Sequence, residues 1–141
     1  MSTLQRKAAQ AVTTVIPFLS PDQLECLVEL TRGEEGDFFS QKIIDLKQQI
    51  DSMPKTHEQG ELGDFALAHL HYFHNGSHWY ITEKDIEGGV HQATAYAILN
   101  GDDEMAELGY VSIEELTRFG VQLDLHFKPC SLIEIKGKRG A

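Results

Sequence analysis

The dipeptide Asn75-Gly76 lies between two segments rich in aromatic and β-branched residues, 65–73 and 78–83. Both central residues of a type I′ turn need a positive φ, and Asn-Gly is among the pairs that tolerate it best. The sequence therefore predicts a β-hairpin with a two-residue turn, in which His71 pairs with Tyr80. Because a shift of one residue would move every side chain to the other face, this turn decides which residues share a face.

One face of the predicted hairpin is apolar and the other carries histidines. The apolar face, expected to be core, holds Leu70, Tyr72, Trp79 and Ile81. The opposite face groups His69, His71 and His78, and three imidazoles on one face can bind zinc with an open fourth position. The alternative is that these rings are solvated or stacked on aromatic neighbours. Apart from this candidate zinc site, the sequence predicts no cofactor.

Helical periodicity dominates the chain before the hairpin. Apolar residues fall on one face of residues 4–16 and again of residues 37–53, and Ser20-Pro21 opens a third helix between them. Residues 55–64 read as a polar connecting loop. Helices that precede a run of sequential strands predict an α+β fold.

The predicted architecture is one domain over residues 1–141. Helices in 1–54 pack on a mainly antiparallel sheet in 65–135 that contains the β-hairpin and one short helix, and 136–141 form a flexible tail.

Four further elements follow the hairpin. Residues 92–99 are predicted as a strand, although their alanines make a helix the main rival. Ser112 and Glu115 form a capping box that predicts a short helix ending near Gly120. Residues 121–127 alternate as in a half-buried strand, and 132–136 are predicted as a last edge strand.

Negative charge is concentrated in the middle of the chain. The formal net charge is −10, and residues 31–115 carry 17 acidic and 5 basic residues, a net of −12. This balance argues against direct, nonspecific nucleic-acid binding, which requires Lys and Arg on phosphates. Clustered on one surface, the acids could mimic a phosphate backbone; the alternative is that they only maintain solubility.

The sequence also suggests where a protein partner would bind. The predicted contact surface combines the tip 74–78 of the hairpin with an acidic rim and an acidic loop: Glu83, Asp85, Glu87, Asp102, Asp103 and Glu104.

A nuclease-like arrangement is a weaker alternative. Glu134 and Lys136 form an E-x-K pattern on the predicted last strand, and Asp124 lies on the strand before it. Paired carboxylates and a lysine hold Mg²⁺ in some nucleases. The acidic composition disfavours the approach of DNA.

Targeting signals do not stand out. The first ten residues lack the apolar stretch of a secretory signal, and no run of apolar residues is long enough to span a membrane. Cys26 and Cys130 fit no metal or redox spacing and are expected to be reduced thiols. These features predict a cytoplasmic protein, and they leave its oligomeric state open.

Several segments carry a resemblance to a known family. Residues 68–73, 79–85, 107–116 and 123–129 resemble domain of unknown function 2958, a bacterial family that recurs on plasmids and other mobile elements. The resemblance covers about residues 33–135. It implies an accessory protein of a mobile element but supplies no catalytic residues. The expected function is therefore non-enzymatic binding of a protein, with inhibition of a host defence or DNA-processing protein as the biological role. The alternative is a metal-dependent hydrolase or nuclease that uses the histidines of the hairpin.

Overall fold

The computed structural model describes residues 2–140, and its first half is helical. The three N-terminal helices are α1 (Thr3–Val15), α2 (Pro21–Leu30) and α3 (Gly36–Ser52). The hydroxyl of Ser20 caps α2 by accepting a hydrogen bond from a backbone N–H of its first turn. Within residues 2–140 no helix combines the length and the apolar character needed to cross a membrane.

Seven strands and two short helices follow. An antiparallel sheet of five strands has the order β5-β4-β3-β2-β6, with β2 (Leu70–His74), β3 (Ser77–Glu83), β4 (Ala93–Ile98), β5 (Glu107–Val111) and β6 (Gln122–Leu123). A separate antiparallel pair joins β1 (Leu67–Ala68) to β7 (Cys130–Ser131). The remaining helices are α4 (Ile113–Arg118) and α5 (Leu132–Gly140).

The turn between β2 and β3 has the predicted conformation. Asn75 and Gly76 both have positive φ, 47° and 84°. The register is also the predicted one, because His71 pairs with Tyr80 and Phe73 with His78. The hairpin prediction and its assignment of faces are therefore confirmed over residues 70–81 but not at His69, and residues 93–98 are a strand and not a helix.

The two faces of the sheet are covered by different elements. The inner face packs against α1, α2, α3 and α4, where Leu70, Tyr72 and Ile81 meet helix residues such as Leu27 and Ile43. The outer face is covered by α5 and the segment before β1, which bury a smaller cluster: Ala66, Ala68, Tyr80, Tyr96, Ile98, Leu132 and Ile135. This arrangement confirms the predicted α+β fold with N-terminal helices packed on a mainly antiparallel sheet.

Three predictions for the C-terminal part need correction. Residues 132–136 are not an edge strand, because Leu132 and Ile135 are one helical turn apart and bury the same side of α5 against the outer face. The helix continues to Gly140, so residues 136–140 of the predicted tail are helical. The strand predicted over 121–127 shrinks to β6, because Asp124 starts a turn in which its Oδ1 accepts the N–H of His126.

Candidate functional site

The outer face of the sheet carries a stack of polar rings beside its small apolar cluster. His71 lies parallel to Tyr80, with ring centroids 4.5 Å apart and planes 5° apart, and it stacks on His78 at 5.1 Å and 15°. Phe127 flanks both His71 and Tyr80 at centroid distances of 5.7 and 6.0 Å. The cross-strand pairing of β2 with β3 places these rings side by side.

Hydrogen bonds connect His71 and His78 from this stack with Asp124 in a row. His71 Nδ1 lies 3.1 Å from Asp124 Oδ2, and His71 Nε2 lies 2.9 Å from His78 Nδ1. We call Asp124, His71 and His78 the histidine relay. Because an ionised carboxylate only accepts, Asp124 assigns the proton of His71 to Nδ1, and Nε2 then accepts from His78. The relay therefore leaves Nε2 of His78 as its terminal acceptor.

The surroundings favour neutral imidazoles in the relay. Burial lowers the pKa of His71, and the hydrogen bond and charge of Asp124 oppose this shift only in part. Burial, the adjacent His71 and the cationic Arg139 lower the pKa of His78. Both effects penalise the charged form of an imidazole. A neutral His78 with a free ring nitrogen has the properties of a general base.

The structure does not assemble the predicted zinc ligands. His69 lies between β1 and β2, and no hydrogen bond or ring contact joins it to His71 or His78 in residues 2–140. Both nitrogens of His71 are occupied by Asp124 and His78. Across the described part of the chain, no group of three His, Cys, Asp or Glu side chains is placed to hold a metal ion.

The nuclease-like arrangement also fails in its predicted form. Glu134 and Lys136 lie on α5 and not on a strand. The Lys136 ammonium pairs with Asp64 at 2.6 Å and lies 5.1 Å from the centre of the Tyr96 ring. Asp124 belongs to the histidine relay.

Two of the three residues predicted to form an exposed acidic rim are buried. Glu83 is 4% exposed and Asp85 is 6% exposed, so neither side chain is available to a large partner. The carboxylate of Asp85 accepts the N–H groups of Glu87 and Gln92, which lower its pKa and hold the turn after β3. Of the three predicted rim residues, only Glu87 is exposed.

The predicted acidic loop is exposed and partly occupied by contacts within the chain. Asp102 accepts the N–H of Met105 and caps the 3-10 turn Asp103–Met105. Asp103 pairs with Nε of Arg139 at 2.6 Å, which ties the loop to α5. Glu104 is exposed, and β5 begins three residues after it.

Strand β5 forms one edge of the five-stranded sheet. It pairs with β4 on one side, and no strand in residues 2–140 pairs with its other side. Leu108 is 50% exposed and Tyr110 is 59% exposed, both on the outer face. The edge therefore offers unpaired backbone groups beside two large, half-exposed side chains.

A cavity of about 300 Å³ lies between β5 and the segment that precedes β1. Its lining includes Gln59 on one side and Leu108 and Tyr110 on the other, with Glu83 and Thr94 between them. Oε2 of Glu83 accepts the N–H of Gln59 at 2.5 Å. The hydroxyl of Thr94 is buried and has no hydrogen-bond partner among residues 2–140. We call this space the Glu83 cavity.

Sequence reasoning missed the Glu83 cavity because a β-bulge creates it. Ile81 pairs with Ala95, but Glu83 pairs with Thr94, so β3 has one extra residue at Thr82. Regular alternation would place Glu83 with Ile81 on the inner face, whereas the bulge turns it to the outer face beside Thr94. The sequence itself contains no signal for this bulge that we recognise.

Comparison with known proteins found no match: no family model fits the chain, and no curated protein and no solved structure is similar to it at a significant level. The resemblance to domain of unknown function 2958 stays a prediction.

Proposed function

We propose that this chain is a non-enzymatic accessory protein of a mobile genetic element that binds a protein partner at β5. In this proposal an extended, basic segment of the partner pairs with the free edge of β5 and continues the sheet. The observation that carries the proposal is the unpaired side of a five-residue edge strand whose residues are largely exposed. Addition of a strand to such an edge is a common mode of peptide recognition.

The charges around β5 support a basic occupant. Glu104 and Glu107 are exposed and form no hydrogen bond or ion pair within residues 2–140, and Asp102 lies in the same acidic turn. Opposite charges speed the encounter of two proteins and fix their orientation. Because Glu83 and Asp85 are buried, the exposed acids form a short border beside β5, which supports a peptide-sized partner more than mimicry of a long phosphate backbone.

The family resemblance suggests the setting of this encounter. It supports a partner from host defence or DNA processing in a bacterial cytoplasm, and inhibition of that partner as the consequence. Direct binding of nucleic acid is not part of the proposal, because an acidic surface repels phosphates.

The proposal can be tested by selecting peptides from a random phage-displayed library and following their binding by amide hydrogen exchange. We expect the selected peptides to be rich in Lys, Arg and β-branched residues, and the β5 amides to become protected when a peptide binds. Protection confined to another part of the chain would refute strand addition at β5.

Paired charge reversals supply the matched control. Glu104→Lys with Glu107→Lys should weaken peptide binding about tenfold at low salt, because each exposed charge is worth under about 1 kcal/mol. The pair Glu25→Lys and Glu29→Lys lies on α2 and changes the net charge by the same amount. It should leave peptide binding unchanged. Equal effects of the two pairs would mean that only net charge matters, and the proposed edge would then be wrong.

The histidine relay favours a second candidate function, hydrolysis of an ester or phosphodiester. His78 would act as the general base that takes a proton from water, while Asp124 orients His71 behind it. In this candidate His78 acts as a general base, whereas in the predicted zinc site the histidines would act as metal ligands.

Generic substrates test the second candidate. Turnover of p-nitrophenyl acetate or bis-p-nitrophenyl phosphate by the purified protein should fall to background in His78→Gln, and His74→Gln, at the exposed tip of the same hairpin, is the control. Equal turnover in wild type and His78→Gln would eliminate the relay as a catalytic device. Elemental analysis showing about one zinc per chain would instead return the histidines to a metal site.

A further inference from the structure

Glu83 is a buried carboxylate that lacks a cationic partner. It is 4% exposed, and no Lys, Arg or His nitrogen lies within ion-pair distance of it among residues 2–140. The adjacent Lys84 points elsewhere, because its Nζ donates to the carbonyl oxygen of Ile50 at 2.8 Å. Burial of a charge without compensation is costly, and a cationic ligand would supply the missing charge.

One carboxylate oxygen of Glu83 remains available to accept hydrogen bonds from a ligand in the cavity. Oε2 accepts the Gln59 N–H, and no hydrogen bond within the described residues reaches Oε1. Thr94, its partner across the strands, belongs to the cavity wall, but its hydroxyl oxygen is closed off from the space. Oε1 of Glu83 is therefore the group that can accept hydrogen bonds from a cationic head in the cavity.

The walls of the cavity indicate the rest of the ligand. Leu108 and Tyr110 are half-exposed at its rim, so the space reaches solvent and offers an apolar and an aromatic surface to a short stem. An aromatic face also attracts a cation. A hard divalent ion would need several oxygen ligands, and Glu83 is the only carboxylate among the described residues that line the cavity.

From these observations we infer that the Glu83 cavity binds an organic monocation, a guanidinium or primary ammonium group on a short apolar stem. Oε1 of Glu83 accepts from the cationic head, and the stem lies along Tyr110. The site does not rest on the proposed docking of a strand at β5. The same chemistry has two sources, a free amine or guanidine compound and the side chain of a Lys or Arg in a bound partner.

The inference is tested with n-butylguanidinium, n-butylammonium and the neutral n-butylurea, titrated into the full-length protein and followed by two-dimensional amide NMR. At least one of the two cations should shift the amides of Gln59, Glu83, Thr94 and Tyr110. The urea has nearly the same shape as n-butylguanidinium and should bind about tenfold more weakly, because it cannot form the charge-assisted hydrogen bonds. Equal binding of the urea and both cations, or no shifts at the cavity, would overturn the inference.

One variant and one control separate the cavity from general electrostatics. Glu83→Gln keeps the acceptor for the Gln59 N–H and should weaken cation binding at least about tenfold. Glu87→Gln removes an exposed charge four residues away and should leave binding unchanged. If Glu83→Gln does not fold, the comparison of cation with urea on the wild-type protein still decides the question. Unchanged affinity in a folded Glu83→Gln would overturn the inference.

Competition distinguishes the two sources and keeps the two proposals separate. If a selected peptide and n-butylguanidinium displace each other, and replacement of one Arg of the peptide by citrulline abolishes the competition, the cation is a partner side chain. If both bind together, the cation is a free compound; either result supports the site. Peptide binding without cation binding refutes only the cavity, and cation binding without peptide binding refutes only the docking at β5.

Discussion

The two faces of the central sheet differ in what covers them and in what they carry. The inner face meets four helices and buries apolar side chains completely; Leu70 and Ile81 are at most 1% exposed. The outer face meets one short helix and the segment before β1, and it carries the histidine relay, the Glu83 cavity and the half-exposed side chains of β5. Coverage therefore separates the part of the sheet that stabilises the fold from the part that is available for binding.

This difference has a simple physical origin. A face that is fully covered must be apolar or fully hydrogen-bonded, because buried polar groups without partners destabilise the fold. A partly covered face can retain polar side chains with free capacity, such as Glu83 and the Thr94 hydroxyl. The predictions that follow test whether the two faces divide stability and function in this way.

The largest expected effect is on the inner face. Leu70→Ala should lower the free energy of unfolding by about 2–5 kcal/mol, because it leaves a cavity in a fully buried environment. The matched change on the outer face, Leu108→Ala, removes the same atoms from a half-exposed site and should cost less than about 0.5 kcal/mol. Urea denaturation of both variants measures the contrast. Similar losses would show that the outer face also supports the core.

A hydroxyl deletion gives the next largest effect. Tyr72 is fully buried, and its hydroxyl donates to the carbonyl oxygen of Phe18 at 2.5 Å. Tyr72→Phe leaves that carbonyl without its donor and should cost about 1–2 kcal/mol of unfolding free energy. Tyr110→Phe on the exposed edge should be neutral. Thermal and urea denaturation measure the stability of both variants. Equal losses in the two variants would contradict the prediction.

The outer face should dominate the pH dependence of stability below neutrality. Burial lowers the pKa values of His71 and His78 on this face, and of His69 just before β2, below 6.5 in the folded state. The unfolded chain then binds more protons, so this contribution is complete above about pH 6.5 and is lost as the pH falls toward the folded pKa values. Unfolding free energies measured from about pH 7.5 to 5 should fall, and less steeply in His71→Gln. An identical slope in the variant would contradict the assignment to His71.

The smallest effect concerns the unpaired hydroxyl in the Glu83 cavity. Thr94→Val replaces a buried group that has no partner with a methyl of the same shape, and it should be neutral or stabilise the ligand-free protein by up to about 1 kcal/mol. Thr82→Val is the control, since the Thr82 hydroxyl donates to the carbonyl oxygen of Thr94 at 3.3 Å, and it should destabilise. Differential scanning calorimetry resolves the sign. Destabilisation by Thr94→Val would mean that its hydroxyl has a partner in solution.

Local signals predicted the helical half and the hairpin. The Asn75-Gly76 turn requires positive φ at both positions, so register and face assignment followed from two neighbouring residues. Two members of the histidine relay were therefore grouped correctly. The third, Asp124, was assigned to a magnesium site instead, because its approach to His71 depends on β6 pairing with β2 across about fifty residues of sequence.

Predictions that depended on burial were less successful. Glu83 and Asp85 look like exposed acids in the sequence, yet one lines a cavity and the other holds a turn. The C-terminal segment looks like a strand because Ile133 and Ile135 are β-prone, but docking against the outer face selects a helix. Propensity is a weak preference that tertiary packing overrides.

The sequence by itself determined the hairpin register, the N-terminal helices and the α+β class, because these depend on backbone preferences and apolar periodicity among nearby residues. Only the tertiary structure decided that α5 covers the outer face, that a bulge turns Glu83 beside Thr94, and that Asp124 reaches His71. These features depend on contacts between segments far apart in the chain, whose energies no local pattern encodes.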